Sequence, residues 1–256
     1  SDDETFAAYL ENLFDESGIK SEVEVLNFGI NGFGIGQMVL NYEKFVRNYD
    51  PDLVLIQIYR PGVLRSRLTN AWGTEKPRFQ LLNEELVLEN RPPDTDPSRS
   101  FETKLMEASL VYRLVKNGLL RREQLEVEST GKAYFASDKA RALTTALLER
   151  LKEETQKDGV SLVAFTWGGD SEWFLETGTS AGVETIDLDF MASQLQYRDG
   201  ERPIETAIDG ALNNPPPTGH WSPRGNQFVA DSLFEHLKRR NKNSKPSAGE
   251  PSEVSR

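Results

Sequence analysis

The segment that most constrains the fold is Leu53–Tyr59, an apolar run interrupted only by Gln57. A strand that is apolar at successive positions suits a sheet covered on both faces, which is typical of parallel sheets in α/β proteins. A helix predicted at about 37–48 precedes this run, and Pro51 prevents that helix from continuing into it. Because helices and apolar runs alternate, the sequence predicts an α/β fold with a mostly parallel sheet.

The remaining predicted elements continue this alternation. Apolar residues at helical spacing predict a first helix over 1–18, with Ser1 as its cap and Gly18 as its stop. A short strand is predicted at 23–26. The others are a hairpin of 79–82 and 85–88 around Asn83-Glu84, a mostly helical stretch at 101–122, a long helix at 138–158 capped by Ser137, strands at 160–167 and 183–188, and a last helix that Ser222 caps and Pro223 begins.

The chain length fits one large domain, since α/β folds often reach about 250 residues as a single unit. We predict a single α/β domain over 1–240 with an insertion at about 60–100 that contains the hairpin. Residues 241–256 are rich in Asn, Ser, Pro, Gly and charged side chains, so they are predicted to form a disordered tail.

Composition excludes several classes of function. The net charge of −11 at pH 7 disfavours nucleic acid as a partner, because an acidic surface repels phosphates. The absence of Cys excludes disulfides, Cys-ligated metals and a Cys nucleophile, and two distant His residues suggest no metal site. No cofactor is predicted. No run approaches the about 18 apolar residues of a membrane helix, so no membrane segment is predicted in this chain.

Three loops after predicted strands carry candidate chemistry, because ligands of open parallel sheets bind beyond the carboxyl ends of strands. Four glycines at 27–36 would let backbone N–H groups approach a ligand, although for a Gly-rich loop alone a plain tight turn before a helix is the favoured explanation. His220 is the loop-borne base that titrates near neutrality, with a structural or solvated His as the alternative. His236 is interpreted as packing within a helix, and Gly169-Asp170-Ser171 as the cap of a short helix at 172–176.

Four short motifs follow one another along the chain. They are Asp2-Asp3-Glu4-Thr5-Phe6, the Asn-x-Gly-x-x-Gly turn at 27–32, Pro51-Asp52-Leu53-Val54, and His220-Trp221-Ser222-Pro223-x-Gly225. Taken in order, these motifs resemble the SGNH (GDSL-type) hydrolase family, over most of the chain from Asp2 to about Leu237. The Phe79–Glu89 hairpin followed by Asn90-Arg91-Pro92 also resembles an insertion of bacterial members.

The resemblance implies a three-layer α/β/α fold of the flavodoxin-like kind and a serine ester hydrolase that forms an acyl-enzyme. It makes His220 the general base and the backbone N–H of Gly32 an oxyanion donor, with a small-molecule or glycan acyl ester as substrate. The family's Gly-Asp-Ser block and first strand would lie upstream of residue 1, together with any export signal or membrane tether. The chain by itself is therefore expected to be inactive.

Two positions depart from the family pattern. The oxyanion Asn falls at Pro61 or Gly62, beside Arg60, which offers either a donor or a surface salt bridge. The triad Asp falls at Pro217 or Thr218, and Asp209 would reach His220 only if the intervening Pro-rich loop folded back, so the triad Asp stays unassigned. A non-catalytic SGNH-like binding domain, or an acyl transferase of the cell envelope, is therefore the alternative.

Overall fold

The computed structural model describes residues 2–19, 23–71, 74–89, 109–110, 118, 129–167, 170–188, 190–191, 221 and 223–244. The protein is a mixed α/β protein whose chain divides into two compact units, Gly29–Asp189 and the pair of segments Ser1–Phe28 and Phe190–Arg256. In chain order its elements are α1 (Phe6–Glu16), α2 (Ile35–Lys44), β1 (Leu53–Ile58), α3 (Arg60–Arg65), β2 (Asn70–Ala71), β3 (Thr74–Glu75), β4 (Arg78–Leu82), β5 (Glu85–Glu89), α4 (Asp138–Lys157), β6 (Ser161–Thr166), α5 (Ser171–Ala181), β7 (Glu184–Asp187) and α6 (Pro223–Ser244), with 3-10 turns at Asp2–Glu4 and Val46–Tyr49.

The larger unit contains a three-stranded parallel sheet in the order β1-β6-β7. Ile56 of β1 is in register with Ala164 of β6, and both belong to a buried cluster to which α2, α4 and α5 contribute. Val163 and Phe165, at the alternate positions of β6, are also buried. The sheet is therefore apolar on both faces at β6, and the predicted strands at 53–59, 160–167 and 183–188 are confirmed within a residue or two.

The predicted hairpin is also confirmed, as β4 paired antiparallel with β5. Its turn residues Asn83 and Glu84 have φ of 51° and 68°, the left-handed values that a two-residue hairpin turn requires. The long helix α4 matches its prediction as well, since the Ser137 hydroxyl accepts a hydrogen bond from the Ala140 N–H at 3.4 Å.

The predicted strand at 23–26 is wrong, because residues 23–30 form no strand. The Val25 N–H donates to Glu11 Oε2 of α1 at 2.6 Å, so a side-chain carboxylate takes the place of a neighbouring strand. The first helix begins later than predicted. Thr5, not Ser1, caps it, with Oγ1 accepting from the Ala8 N–H at 3.3 Å.

Two other helix boundaries also differ from the prediction. Helix α2 begins at Ile35 and ends at Lys44, and a 3-10 turn fills the rest of the span up to Tyr49. Helix α6 continues past Arg240 to Ser244, so the first four residues of the predicted tail are helical. Most of the predicted helical stretch at 101–122, Ser222 and the tail beyond 244 lie outside the described residues. None of the helices within the described ranges has the length and apolar character needed to span a membrane.

The smaller unit contains α1 packed against α6. The Phe14 and Phe234 rings meet edge to face with centroids 5.1 Å apart. At the start of α1 the Phe6 N–H donates to Asn226 Oδ1 at 3.2 Å, and the Phe6 ring lies 6.0 Å from that of Trp221. The segment directly after position 220 is thus anchored to the first helix.

In the larger unit a polar cluster joins α2 and the turn after it to the end of α4. Tyr42 donates its hydroxyl to Asp158 Oδ2 at 2.7 Å, and Arg47 donates to Asp158 Oδ1 at 2.7 Å and to Glu154 Oε2 at 3.2 Å. Hydrogen bonds from Arg47, and next from Tyr42, hold the pKa of the Asp158 carboxyl below its usual value. The pKa of Tyr42 is raised, mainly because the side chain is buried and next because its hydroxyl donates to Asp158.

We expect Tyr42→Phe to lower the free energy of unfolding by about 1 kcal/mol at pH 7, the usual net contribution of such a hydrogen bond. The pKa of Asp158 is lower in the folded protein than in the unfolded chain. The contribution of its carboxylate to the free energy of unfolding is therefore present above the unfolded pKa of about 4, and it is lost as the pH falls through the folded value. The difference in the free energy of unfolding between wild type and Tyr42→Phe should therefore become smaller below about pH 4. Urea unfolding at pH 7 and pH 3 measures it.

Tyr9→Phe is the matched control, since Tyr9 is half-buried and its hydroxyl has no hydrogen-bond partner in the described part of the chain. If Tyr42→Phe and Tyr9→Phe lowered the free energy of unfolding equally at both pH values, the hydrogen bond to Asp158 would not contribute to stability.

Candidate active site at the carboxyl edge of the sheet

The parallel direction of β1, β6 and β7 brings the residues that follow them to one edge of the sheet. Arg60 follows β1, Asp170 and Ser171 follow β6, and Asp187 ends β7. Two side-chain contacts connect these loops. Arg60 forms an ion pair with Asp170, and the Ser171 hydroxyl donates to Asp187 Oδ1 at 2.8 Å.

Arg60 is held in place from two sides. Its guanidinium pairs with Asp170 and lies 4.8 Å from the centroid of the Phe135 ring. The side chain of Arg60 is 45% exposed and that of Asp170 18%, so the pair lies at the surface of the edge. The sequence suggested that Arg60 is either an oxyanion donor or part of a surface salt bridge, and in the structure it forms the salt bridge.

Helix α5 begins at Ser171 and includes the helix predicted at 172–176, but the Asp170 side chain does not cap it as predicted; Gly169 lies outside the described residues. Asp170 occupies the cap position without a side-chain capping bond, and its carboxylate faces Arg60 instead. The Ser171 hydroxyl is directed to a carboxylate, whereas an activated serine requires a base such as imidazole as its acceptor. This geometry does not favour Ser171 as a nucleophile.

Thr166 and Asp187 were not identified from the sequence. Thr166 ends β6 in register between Ile58 and Asp187, is 1% exposed, and has a hydroxyl with no hydrogen-bond partner among the described residues. For Thr166 the available signal was a polar residue that ends an apolar run just before a loop, whereas Asp187 stands between Ile186 and Leu188 without such a signal.

The Gly-rich loop approaches the same edge. A Cβ added to Gly62 in the first turn of α3 would lie 3.7 Å from Ile35, the first residue of α2, so the two helices begin side by side next to the end of β1. A Cβ on Gly34 would lie 2.6 Å from the Ser66 backbone N, and one on Gly36 would lie 2.8 Å from the Phe79 ring. Close packing therefore explains two of the loop's glycines.

Gly32 has a different role in this loop. Its φ of +82° is a left-handed value that favours glycine, and it is the third residue of the turn in which the Phe33 N–H donates to the Ile30 carbonyl at 3.2 Å. Gly32 is buried, and no described residue accepts a hydrogen bond from its N–H. A buried N–H without an acceptor is rare in folded proteins, so this one is a candidate donor to a ligand.

The position expected for an oxyanion Asn is tightly packed against a neighbouring ring. A Cβ on Gly62 would lie 3.2 Å from the Tyr59 ring, and Pro61 beside it has no N–H to donate. Tyr59 is itself fixed by a hydrogen bond of 2.8 Å from Arg65 to its hydroxyl.

The candidate base His220, together with Asp209, Pro217 and Thr218, lies outside the described residues, and its role stays a prediction. His236 lies on α6, half-buried, as the packing interpretation requires. Within the described ranges no group of three or more His, Asp or Glu side chains is placed to hold a metal ion. Comparison with models of protein families, with curated proteins and with solved structures finds no match to this chain.

Proposed function

We propose that this chain belongs to a serine ester hydrolase with a three-layer, SGNH-like α/β/α fold, acting on a small-molecule or glycan acyl ester. The observation that carries the proposal is the buried N–H of Gly32, which has no acceptor among the described residues and lies in the loop that precedes α2. A donor of this kind stabilises the oxyanion that forms when an ester carbonyl is attacked. One such donor typically contributes about 3–4 kcal/mol to the lowering of the barrier.

In this proposal His220 is the general base, and it precedes Trp221, which packs against the first helix. An imidazole there accepts the proton of the serine hydroxyl and later returns it to the leaving alcohol. The order of the motifs places the nucleophilic serine ahead of Asp2-Asp3-Glu4 and not at Ser171, whose hydroxyl is directed to Asp187.

The test uses the natural protein that carries this chain. We expect it to hydrolyse a short-chain nitrophenyl ester and to be labelled once by a fluorophosphonate, with the label on a serine other than Ser171. Ser171→Ala is the matched control and should keep both activity and label. Absence of turnover and of labelling in the folded protein would overturn the proposal, and a label on Ser171 would overturn its assignment of the nucleophile.

A non-catalytic binding domain is the second candidate, and the contact at Gly62 favours it. Position 62 carries no amide side chain and is closely packed against the Tyr59 ring, and the loss of one oxyanion donor lowers the rate by a factor of about 10²–10³. Binding of an acylated sugar without its turnover would support this alternative.

An acyl transferase of the cell envelope is the remaining alternative, because a sugar hydroxyl can take the place of water at the same acyl-enzyme. Its first half-reaction is that of the hydrolase, so labelling by the fluorophosphonate is expected of both. Transfer is recognised by an acylated sugar product that forms in preference to the free acid when the acceptor sugar is added.

A further inference from the structure

A shallow pocket of about 160 Å³ lies in the larger unit between α2 and the hairpin. A cavity of about 150 Å³ holds a benzene molecule, so a single ring or a chain of about six carbons fits this volume. Its lining residues are Phe33, Gln37, Leu40, Asn41, Lys44, Phe45, Pro77 and Leu88.

The walls of this pocket are mostly apolar. Leu40 of α2 and Leu88 of β5 contribute aliphatic surface, and the side chain of Phe45, directly after α2, is 59% exposed. An apolar ligand placed against these side chains would remove their surface from water, which is the usual source of affinity in small-molecule pockets.

Gln37 supplies one polar contact. Its Oε1 accepts hydrogen bonds from the Gly34 N–H at 3.3 Å and from Lys76 Nζ at 3.1 Å, which fixes the orientation of the amide. The amide nitrogen is left without an acceptor among the described residues. Gln37 therefore offers N–H donors to a ligand in this pocket.

Lys44 supplies a charge. This exposed lysine forms no ion pair with any residue that the structure describes. The adjacent acid, Glu43, is occupied by Arg150, whose Nε and second guanidinium nitrogen donate to its two oxygens at 2.6 and 3.0 Å. The polar side of the pocket thus combines a cation and amide donors.

We infer that this pocket binds a small amphipathic anion, namely an aryl or short alkyl group that carries a carboxylate. The apolar part packs against Leu40, Phe45 and Leu88, and the carboxylate accepts hydrogen bonds from Lys44 and the Gln37 amide. This site does not depend on the proposed esterase activity, since it uses neither Gly32 nor His220.

The test is a titration of the full chain with phenylacetate and with its uncharged analogue phenylacetamide, followed by saturation-transfer NMR. We expect phenylacetate to bind in the millimolar range with a Kd about fivefold lower than that of phenylacetamide, the preference that one partly exposed ion pair provides. Lys44→Ala should remove the preference, and Lys139→Ala, at an exposed lysine of α4, should keep it. Equal affinities in the wild type, or a preference that survives Lys44→Ala, would overturn the inference.

A second variant tests the apolar walls. Leu88→Trp fills the pocket and should weaken both probes by about tenfold or more, as the loss of a ring's buried surface requires. Phe45→Ser, at an exposed position, should weaken both about fivefold and serves if the Trp variant does not fold. Unchanged binding in a folded variant of either kind would place the ligand elsewhere and overturn the inference. Neither probe is an ester, so these outcomes are independent of hydrolysis.

Discussion

Replacement of His220 by alanine is expected to lower kcat/KM for ester hydrolysis by at least about a thousandfold in the natural protein that carries this chain. A serine hydroxyl is a poor nucleophile at its own pKa, so the rate depends on a neighbouring imidazole that removes the proton. Nucleophile and base act as a unit, and loss of either removes most of the rate that both provide. Steady-state turnover of a short-chain nitrophenyl ester measures the effect.

The pH profile separates a catalytic role of His220 from a structural one. An imidazole base is active when it is neutral, so the wild-type rate should rise with pH across the neutral range, and this rise should be absent from the residual activity of His220→Ala. His236→Ala, on α6, is the matched control and should keep the wild-type profile. Turnover by His220→Ala at the wild-type rate would exclude His220 as the base.

The parts of the fold that could be predicted are those in which sequence pattern and packing agree. Leu53–Ile58 and Ser161–Thr166 are mostly apolar, and in the structure they are neighbouring parallel strands. The second strand has buried residues on both faces, and Ile56 and Ile58 of the first are buried on one. Asn83-Glu84 suits a left-handed hairpin turn and adopts one. Ser137 caps the long helix because its hydroxyl can reach an N–H three residues on. Each of these signals is local.

The prediction at 23–26 failed because a local pattern does not identify a strand's partner. Val23, Val25 and Leu26 suit a strand by propensity, but the Val25 N–H is satisfied by the carboxylate of Glu11, fourteen residues away. β propensity mainly reflects packing against neighbouring strands, and within the described ranges no strand pairs with this segment. A helix side chain that bonds a passing segment has no recurring sequence pattern.

The candidate site was predictable only in part, for a related reason. Gly32 and Arg60 were found because a Gly-rich turn and a residue that follows an apolar strand are recognisable in sequence. Thr166 and Asp187 become neighbours only through the register of β6 and β7. The glycines at 34 and 36 are required by contacts with Ser66 and Phe79, which lie about thirty and forty residues away along the chain.

The second large effect is expected in the core of the larger unit. Leu148 of α4 is 0% exposed and belongs to the cluster in which α2, α4 and α5 pack with β1 and β6. Leu148→Ala should lower the free energy of unfolding by about 3 kcal/mol, from lost burial and from the cavity that close-packed neighbours cannot fill. For a chain of this size the melting temperature should fall by roughly 6–12 °C.

The same truncation at Leu82 isolates the effect of burial, because Leu82 ends β4 with 47% of its surface exposed. A leucine that is already largely hydrated loses little when it is shortened and leaves no cavity, so Leu82→Ala should change the free energy of unfolding by about 0.5 kcal/mol or less. Urea unfolding of both variants, compared at equal m-value, measures the difference. Similar losses at the two positions would mean that Leu148 is not held in a close-packed core, and the arrangement of α4 on the sheet would have to be revised.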